Sequence, residues 1–291
     1  MWSSIVSTMR SDMEKPSVNI LLCTIDKGVE DAFAAVMPPI PCLSYVISVQ
    51  CSGYDVSFQV PNAWQGRDDV KVVSLPGRGL SANRNHALAY ADAGICVIAD
   101  DDCRYSPERI DRLRHCFQAN PDADVLLFQA TDRRGKLLRD YPARSFDMNR
   151  PPRGYFPVSF EIAFRNRGVC PLFDTRFGIG SEKMTGGEEI VWIHDMMAAG
   201  CRVRYVPEPL AMLTKPPKSG EEEYADERKL FSKGALMQYV YGATAWLRCV
   251  KYAWTVRRQS PFSFRQLMRC LNEGRRFISR EGRRWKEKGI V

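Results

Sequence analysis

Residues Ile95–Cys103 read ICVIADDDC, an apolar run followed at once by three aspartates. Short apolar runs bounded by polar residues are typical of strands buried on both faces of a parallel sheet. Three adjoining carboxylates repel one another, so their position calls for a compensating partner. We therefore expect the run to be a sheet strand and the aspartates to mark a binding site at its end.

The sequence on both sides of this run predicts further strands that alternate with helices. Apolar runs indicate the strands, and apolar residues at helical spacing indicate the helices. This alternation predicts an α/β fold with a mainly parallel sheet, in which ligands bind at the carboxyl ends of the strands. The predicted strands are 18–23, 44–49, 70–75, 95–99, 124–129, 158–164 and 202–206, and the predicted helices are 81–93, 107–120 and 188–199.

Composition and charge divide the chain into three parts. It has 291 residues, of which 45% are hydrophobic and 26% charged, as expected for a globular protein with a sizeable core. The formal net charge is +8, and residues 245–291 alone carry 13 Lys and Arg against 3 Asp and Glu. We expect a polar leader over residues 1–16, an α/β domain over 17–217 and a basic helical extension over 218–291.

The cysteines and the apolar runs bear on where the protein acts. Ten cysteines are scattered singly without a C-x-x-C pair, which favours a reduced protein without a zinc site. The first residues lack the apolar stretch of a signal peptide. The apolar run 234–256 is interrupted by Arg248 and Lys251, so we do not expect it to span a membrane. We expect a soluble, cytoplasmic protein.

The aspartates suit a divalent cation. In an extended strand, residues two apart point the same way, so Asp100 and Asp102 are expected to face together and Asp101 to face elsewhere. Two such carboxylates suit Mg²⁺ or Mn²⁺, which keeps water and substrate phosphates as its other ligands. The cation would neutralise charge on a departing diphosphate. The alternative is a solvated turn before the helix that begins at Pro107.

A second motif, GLSANRN at residues 79–85, precedes the aspartates. It opens a predicted helix with Ser81 as its N-cap. Backbone amides at a helix start bind anions, and Arg84 could pair with a phosphate or with the aspartates. The alternative is an ordinary capped helix.

A third motif, TGGEE at residues 185–189, places two acids at the start of a helix. The helix dipole favours ionised Glu188 and Glu189, and a general base must be ionised. The alternative is that these residues only complement the helix dipole.

The order of the three motifs resembles that of the inverting family 2 glycosyltransferases of GT-A fold. A later run, Phe177 to Glu208, is similar to the acceptor-side segment of that family, and the resemblance covers about residues 18–215. It implies transfer of one sugar from a nucleotide-sugar donor to a hydroxyl acceptor, a glycan or a lipid-linked glycan. It also implies Mn²⁺ or Mg²⁺ as the cofactor.

The resemblance assigns roles to particular residues. Glu189 takes the position of the catalytic base and Glu188 the supporting one, and the sequence does not separate the two. Many members have Asp where this chain has Gln50, so uridine is the default base of the donor. The metal is assigned to Asp100 and Asp102, and the nucleotide-sugar pocket to Thr24, Asp26, Gln50, Arg84, Asp100 and Asp101.

Two other functions stay open from the sequence. A nucleotidyltransferase of sugar phosphates also pairs an α/β sheet with acidic metal ligands, but it more often has a Gly-rich loop and a lysine after the first strand, where this chain reads CTIDKG. The other is a non-catalytic module that binds a membrane surface. Residues 266–270 read QLMRC, without the tryptophan of processive synthases, which favours transfer of a single sugar.

The basic extension predicts an amphipathic helix from Ser263 onward. Such a helix can lie on the anionic inner face of the membrane, or it can dock on the protein with its charged face in water. No nucleic-acid-binding pattern accompanies the arginines, so we expect no nucleic-acid partner. The apolar stripe consists of Phe264, Leu267, Met268, Leu271, Ile278 and Trp285.

Overall fold

A computed structural model of the chain describes residues 16–53, 58–64, 66–167, 170–216 and 223–282. The described residues form two compact units. The first is drawn from within residues 1–78, 83–170 and 200–216, and the second from within residues 79–82, 171–199 and 217–291. Most of the predicted polar leader and the end of the predicted extension lie outside the described residues.

The first unit is built on a nine-stranded sheet. Its strand order is β3-β2-β1-β4-β8-β6-β9-β5, and β7 pairs with β9. The strands are β1 (Val18–Ile25), β2 (Leu43–Cys51), β3 (Val70–Pro76), β4 (Ile95–Asp100), β5 (Cys103–Arg104), β6 (Val125–Thr131), β7 (Phe146–Asp147), β8 (Ile162–Arg165) and β9 (Val203–Leu213).

Strands β3, β2, β1 and β4 run parallel, and they form the half of the sheet that carries the aspartates. Leu22 on β1 lies opposite Ile47 and Ala99 on its two neighbours. The first seven residues of β1 are buried without alternation, as expected for a strand covered on both faces. The predicted α/β fold is confirmed.

The other half of the sheet is mixed. Strand β8 runs antiparallel to both β4 and β6, whereas β9 is parallel to β6. The predicted strand 158–164 is observed only from Ile162, because Ser159–Glu161 form a 3-10 turn. The parallel half therefore carries the strand ends at which a ligand is expected. The antiparallel strand β8 lies next to this half and pairs with β4.

The described residues form seven α-helices. In the first unit, α3 begins at a Ser106 cap followed by Pro107, and it buries Ile110, Leu113 and Phe117 in the core of that unit. The helices are α1 (Val29–Phe33), α2 (Leu80–Leu88), α3 (Pro107–Ala119), α4 (Glu188–Ala198), α5 (Glu227–Tyr241), α6 (Ala245–Val256) and α7 (Phe264–Glu281).

Helix α2 is shorter than the predicted helix 81–93. The Asn19 side-chain oxygen accepts hydrogen bonds from the backbone amides of Asp92 and Ala93 at 2.9 and 2.7 Å. Those amides are therefore taken by a side chain 73 residues or more away, and the helical pattern does not continue to them. Ser81 lies inside α2 instead of capping it, and its Oγ donates to the Phe177 carbonyl at 2.7 Å.

In the second unit, α5 and α7 approach closely at two glycines. A Cβ on Gly234 would lie 2.0 Å from the Leu271 carbonyl oxygen, and a Cβ on Gly274 would lie 1.9 Å from the Phe231 carbonyl oxygen. Only hydrogen fits at these contacts. The two backbones can therefore pack at a distance that no other residue type allows.

The predicted stripe on α7 is buried against the protein at three of its positions, whereas Phe264 at its start is exposed. Leu267, Leu271 and Ile278 are buried within the second unit, and Ser263 caps the helix in a capping box with Gln266. Trp285 lies outside the described residues. Within the described ranges, no helix is long and apolar enough to cross a membrane.

We expect Gly274→Ala to lower the free energy of unfolding by about 2 kcal/mol, because its methyl group would collide with the Phe231 carbonyl. Alanine is the better helix former by about 1 kcal/mol, so a purely local effect would stabilise the protein. Urea unfolding followed by circular dichroism measures the difference. The matched control is Ser279→Ala, an exposed position on the same helix; equal stability of both variants and the wild type would contradict the close approach.

Candidate active site

Asp100 is the last residue of β4 and is held by two protein groups. The Arg84 guanidinium donates to its Oδ1 at 3.0 Å, and the Ser159 hydroxyl donates to its Oδ2 at 3.1 Å. Arg84 is only 3% exposed, so this ion pair is formed by an arginine that is removed from water. Of the two partners predicted for Arg84, the aspartate cluster is the one observed.

Asp101 is held by a hydroxyl group from the end of β1. Thr24 Oγ1 donates to Asp101 Oδ2 at 2.7 Å. A Cβ on Gly28 would lie 2.4 Å from each of these two oxygens, so glycine is required beside them. Burial raises the pKa of the Asp101 carboxyl, and the hydrogen bond from Thr24 opposes that rise.

Asp102 differs from its two neighbours in the partners of its side chain. Its backbone oxygen accepts hydrogen bonds from the Thr214 amide and hydroxyl at 2.9 and 3.2 Å. Among the described residues, no side chain makes a hydrogen bond or an ion pair with its carboxylate, although the charge of Lys215 acts on it from a distance. Burial, and then repulsion from Asp100 and Asp101, raise the pKa of Asp102 to about 6. A positive charge placed beside this half-buried carboxylate would therefore stabilise its ionised form.

The three aspartates do not all lie in an extended strand, as the prediction assumed. Strand β4 ends at Asp100, and Asp101 and Asp102 form a turn before β5. The alternation of strand side chains therefore ends at Asp100. Asp100 nevertheless raises the pKa of Asp102 more than Asp101 does. What distinguishes Asp102 is the absence of a side-chain partner among the described residues.

The chemistry of this turn is compatible with a hard divalent cation. The donors offered by Asp100, Asp101 and Asp102 are all carboxylate oxygens, which Mg²⁺ and Mn²⁺ prefer. Within the described ranges, no group of three or more His, Cys, Asp or Glu side chains is arranged to hold a metal ion by itself. A cation at Asp102 would thus need oxygens from water or from a ligand to complete its shell.

The predicted nucleotide residues lie at the carboxyl ends of β1 and β2. Asp26 accepts hydrogen bonds from the Ser52 amide at 2.8 Å and from its hydroxyl at 2.5 Å, which lower the pKa of the Asp26 carboxyl. Gln50 is buried and pairs with Ile25 across the two strands. The sheet therefore brings Thr24, Asp26 and Gln50 to one edge.

Two features of this edge are missed by the sequence reasoning. Asn83 donates from its side-chain amide to the backbone oxygens of Thr24 at 2.9 Å and Ser48 at 3.2 Å, which ties the ends of β1 and β2 together. Lys215 pairs with Asp31 at 2.6 Å, and Asp101 and Asp102 add to the electrostatic rise of its pKa. Asn83 is the fifth residue of GLSANRN, so the motif contained its signal.

The second acidic pair begins α4 in the second unit, after Gly187 in a left-handed conformation. Glu188 is buried, and a Cβ on Gly178 would lie 3.3 Å from its Oε2. Glu189 is only partly buried. Both lie in the first turn of the helix. The two glutamates therefore differ in access to a ligand, which the sequence alone does not reveal.

Comparison of the chain with known proteins gives structural neighbours and a family. A crystal structure of S. aureus TarS 1-349 matches with a TM-score of 0.54 at 13% identity, covering 91% of this chain and 92% of that one. A structure of S. aureus TarS 1-349 in complex with UDP matches with a TM-score of 0.51 at 15% identity, covering 84% and 71%.

At these identities the structural neighbours establish the fold, which is of the GT-A type. No curated protein matches the chain closely enough in sequence to count as a relative. Residues 56–176, which include the aspartates, match the family model described as Glycosyl transferase family 2. This match covers less than half of the chain, and it makes that segment similar to glycosyl transferase family 2.

Proposed function

We propose that this protein transfers a single sugar, with inversion, from a nucleotide-sugar donor to a hydroxyl group of a glycan or a lipid-linked glycan. The observation that carries the proposal is that the three aspartates differ in the partners of their carboxylates. Asp100 and Asp101 are held by Arg84, Ser159 and Thr24, whereas the Asp102 carboxylate has no partner among the described side chains. That carboxylate is the one offered to a cation and a diphosphate.

The donor is proposed to be a UDP-sugar. A structural neighbour, S. aureus TarS 1-349, is described in complex with UDP, which supports uridine as the base. In this chain the nucleotide would lie at the edge formed by the ends of β1 and β2, with Thr24, Asp26, Gln50 and Arg84 in the pocket. Thr24, Asp26 and Arg84 are already hydrogen-bonded there, so they would need little ordering when the donor binds.

The proposed metal is Mn²⁺ or Mg²⁺, held by Asp102 with Asp100 beside it. When bound, the cation would neutralise the negative charge that develops on the departing diphosphate. The chain itself contributes the fixed geometry of the turn. The Asp102 backbone oxygen is bound by the Thr214 amide and hydroxyl, so the carboxylate projects from an anchored residue.

The base is proposed to be Glu189, with Glu188 in support. Inversion requires a base on the face of the sugar opposite the leaving group, where it removes the proton from the acceptor hydroxyl. The partial exposure of Glu189 suits a group that must meet a substrate, and the burial of Glu188 suits a group that packs within the protein. Both glutamates lie in the first turn of α4.

We expect Asp102→Asn to abolish metal-dependent turnover, with a loss of at least about a hundredfold, because the variant lacks the charge that holds the cation. Release of UDP from UDP-sugars in the presence of MnCl₂ measures it. Removing one of three adjoining carboxylates relieves repulsion, so the thermal midpoint should equal or exceed that of the wild type. The matched control is Asp68→Asn, an exposed aspartate in the same unit. Full turnover by Asp102→Asn would sink the metal assignment.

Glu189→Gln is expected to lower kcat by at least about a hundredfold while leaving the affinity for UDP within about twofold, because it removes proton transfer and not donor binding. The rise of kcat with pH that reports the ionised base should disappear in this variant. Glu188→Gln is the comparison and should retain more activity. A larger loss of kcat in Glu188→Gln, with UDP binding intact in both, would reverse the assignment.

Thermal unfolding in the presence of UDP, GDP, CDP or ADP with MnCl₂ tests the nucleotide. We expect UDP to raise the midpoint most, because at equal concentration the nucleotide that binds most tightly stabilises the folded state most. A ligand at a hundred times its Kd stabilises it by about 2.7 kcal/mol. Asp26→Asn should reduce the shift because it weakens the bonds that hold Ser52, whereas Asp68→Asn should not. Stronger stabilisation by GDP than by UDP would contradict the uridine assignment.

A further inference from the structure

Helix α6 carries large apolar side chains on its outer face. Trp246, Leu247 and Trp254 are 50%, 53% and 60% exposed, and Val250 between them is 38% exposed. These positions follow the i, i+4, i+8 and i, i+3, i+7 spacings that place residues on one face of a helix. Tryptophan is seldom this exposed in a soluble protein, so the face needs an explanation.

The inner face of α6 has the opposite composition. Ala245, Cys249, Ala253 and Val256 are buried against the rest of the second unit. All four are small or medium side chains. The packing of α6 onto the protein therefore leaves its bulkiest apolar groups outside, and none of them contributes to the buried core.

The outer face continues onto the start of α7. The rings of Trp254 and Phe264 meet edge to face with their centroids 6.3 Å apart, and Phe264 is itself 38% exposed. We use the name α6 face for the surface formed by Trp246, Leu247, Val250, Trp254 and Phe264. Their spacing along the helix axis, at 1.5 Å per residue, gives a stripe of about 12 Å before Phe264 extends it.

The α6 face is bordered by cations. The Arg248 guanidinium lies 3.6 Å from the centre of the Tyr241 ring, and the Arg257 guanidinium lies 3.5 Å from the centre of the Trp254 ring. Lys251 and Arg258 are exposed on the same helix and just beyond it. Residues 242–272 contain six Lys and Arg and no Asp or Glu. A partner for this face must therefore combine apolar and anionic chemistry.

We propose that the α6 face docks the protein on the surface of an anionic lipid bilayer. Tryptophan and phenylalanine rings enter the boundary between headgroups and acyl chains, and arginine and lysine bind the lipid phosphates above them. A second copy of the chain offers the same cations and would be repelled. A nucleic acid would meet the cations but would leave the leucine and valine without an apolar partner.

Vesicle sedimentation of the full chain, without any sugar donor, tests the proposal independently of catalysis. The protein is expected to sediment with phosphatidylcholine vesicles that contain phosphatidylglycerol, and much less with phosphatidylcholine alone. Leu247→Ser should weaken this binding by about tenfold, since it removes one buried apolar side chain from the contact. The matched control is Leu137→Ser, an exposed leucine in the first unit, which should bind as the wild type does.

A matched pair of double variants tests the contribution of the cations to vesicle binding. The double variant Arg248→Gln with Lys251→Gln is expected to lower binding to the anionic vesicles by about tenfold or more. Arg134→Gln with Lys136→Gln makes the same change of charge at exposed positions of the first unit and should leave binding unchanged. Equal losses in both double variants would mean that net charge, and not the α6 face, attracts the protein to the vesicles.

Tryptophan quenching places the lipid at the face itself. Brominated phospholipid is expected to quench the fluorescence of the bound wild-type protein, and Trp246→Phe with Trp254→Phe should still bind while losing most of the quenching. Three results would overturn the proposal: no binding to anionic vesicles, binding that Leu247→Ser leaves intact, or a concentration-dependent dimer in sedimentation velocity that Leu247→Ser abolishes. Thermal midpoints of the variants show that each one is folded.

Discussion

The ion pair between Arg84 and Asp100 is the interaction on which the proposed site depends. Arg84 is almost completely buried, and a buried guanidinium without a counter-charge would destabilise the fold by several kcal/mol. The Asp100 carboxylate is bound by the protein on both oxygens, by Arg84 and by Ser159. The same pair places one fixed positive charge beneath three adjoining carboxylates, which is too little to neutralise them all.

The remaining negative charge is distributed unequally, and this inequality gives the turn its chemistry. Asp101 is stabilised by the neutral Thr24 hydroxyl, in a space that Gly28 keeps open. Asp102 is fixed only through its backbone, by Thr214. The repulsion that makes three consecutive aspartates unfavourable is thus concentrated on the residue with no side-chain partner in the described chain. A divalent cation would offset that repulsion at the point where a diphosphate would be held.

Sequence reasoning predicted those parts of the fold that local pattern determines. Strands buried on both faces give unbroken apolar runs, which is why residues 18–23 and 95–99 were recognised and the α/β fold is confirmed. The end of α2 depends on Asn19, more than 70 residues away, and no local pattern reveals it. The order of DDD and GGEE suggested a likeness to family 2 glycosyltransferases, and a model of that family matches residues 56–176. The turn at Asp101 and the burial of Glu188 depend on tertiary packing.

The helices of the extension show the same limit on a larger scale. Helices α6 and α7 are both basic and both carry apolar residues. Sequence reasoning considered only the helix from Ser263 onward, and it left open whether that helix lies on a membrane or docks on the protein. Gly234 and Gly274 let α7 approach α5 so closely that Leu267, Leu271 and Ile278 are buried. Helix α6 instead packs through alanine and cysteine and keeps its tryptophans outside. Helix α6 turns its small apolar residues inward and its large ones outward, which is the reverse of what stability in water favours. The exposed apolar side chains of α6 are therefore better explained by binding to another surface than by packing in the core of the protein.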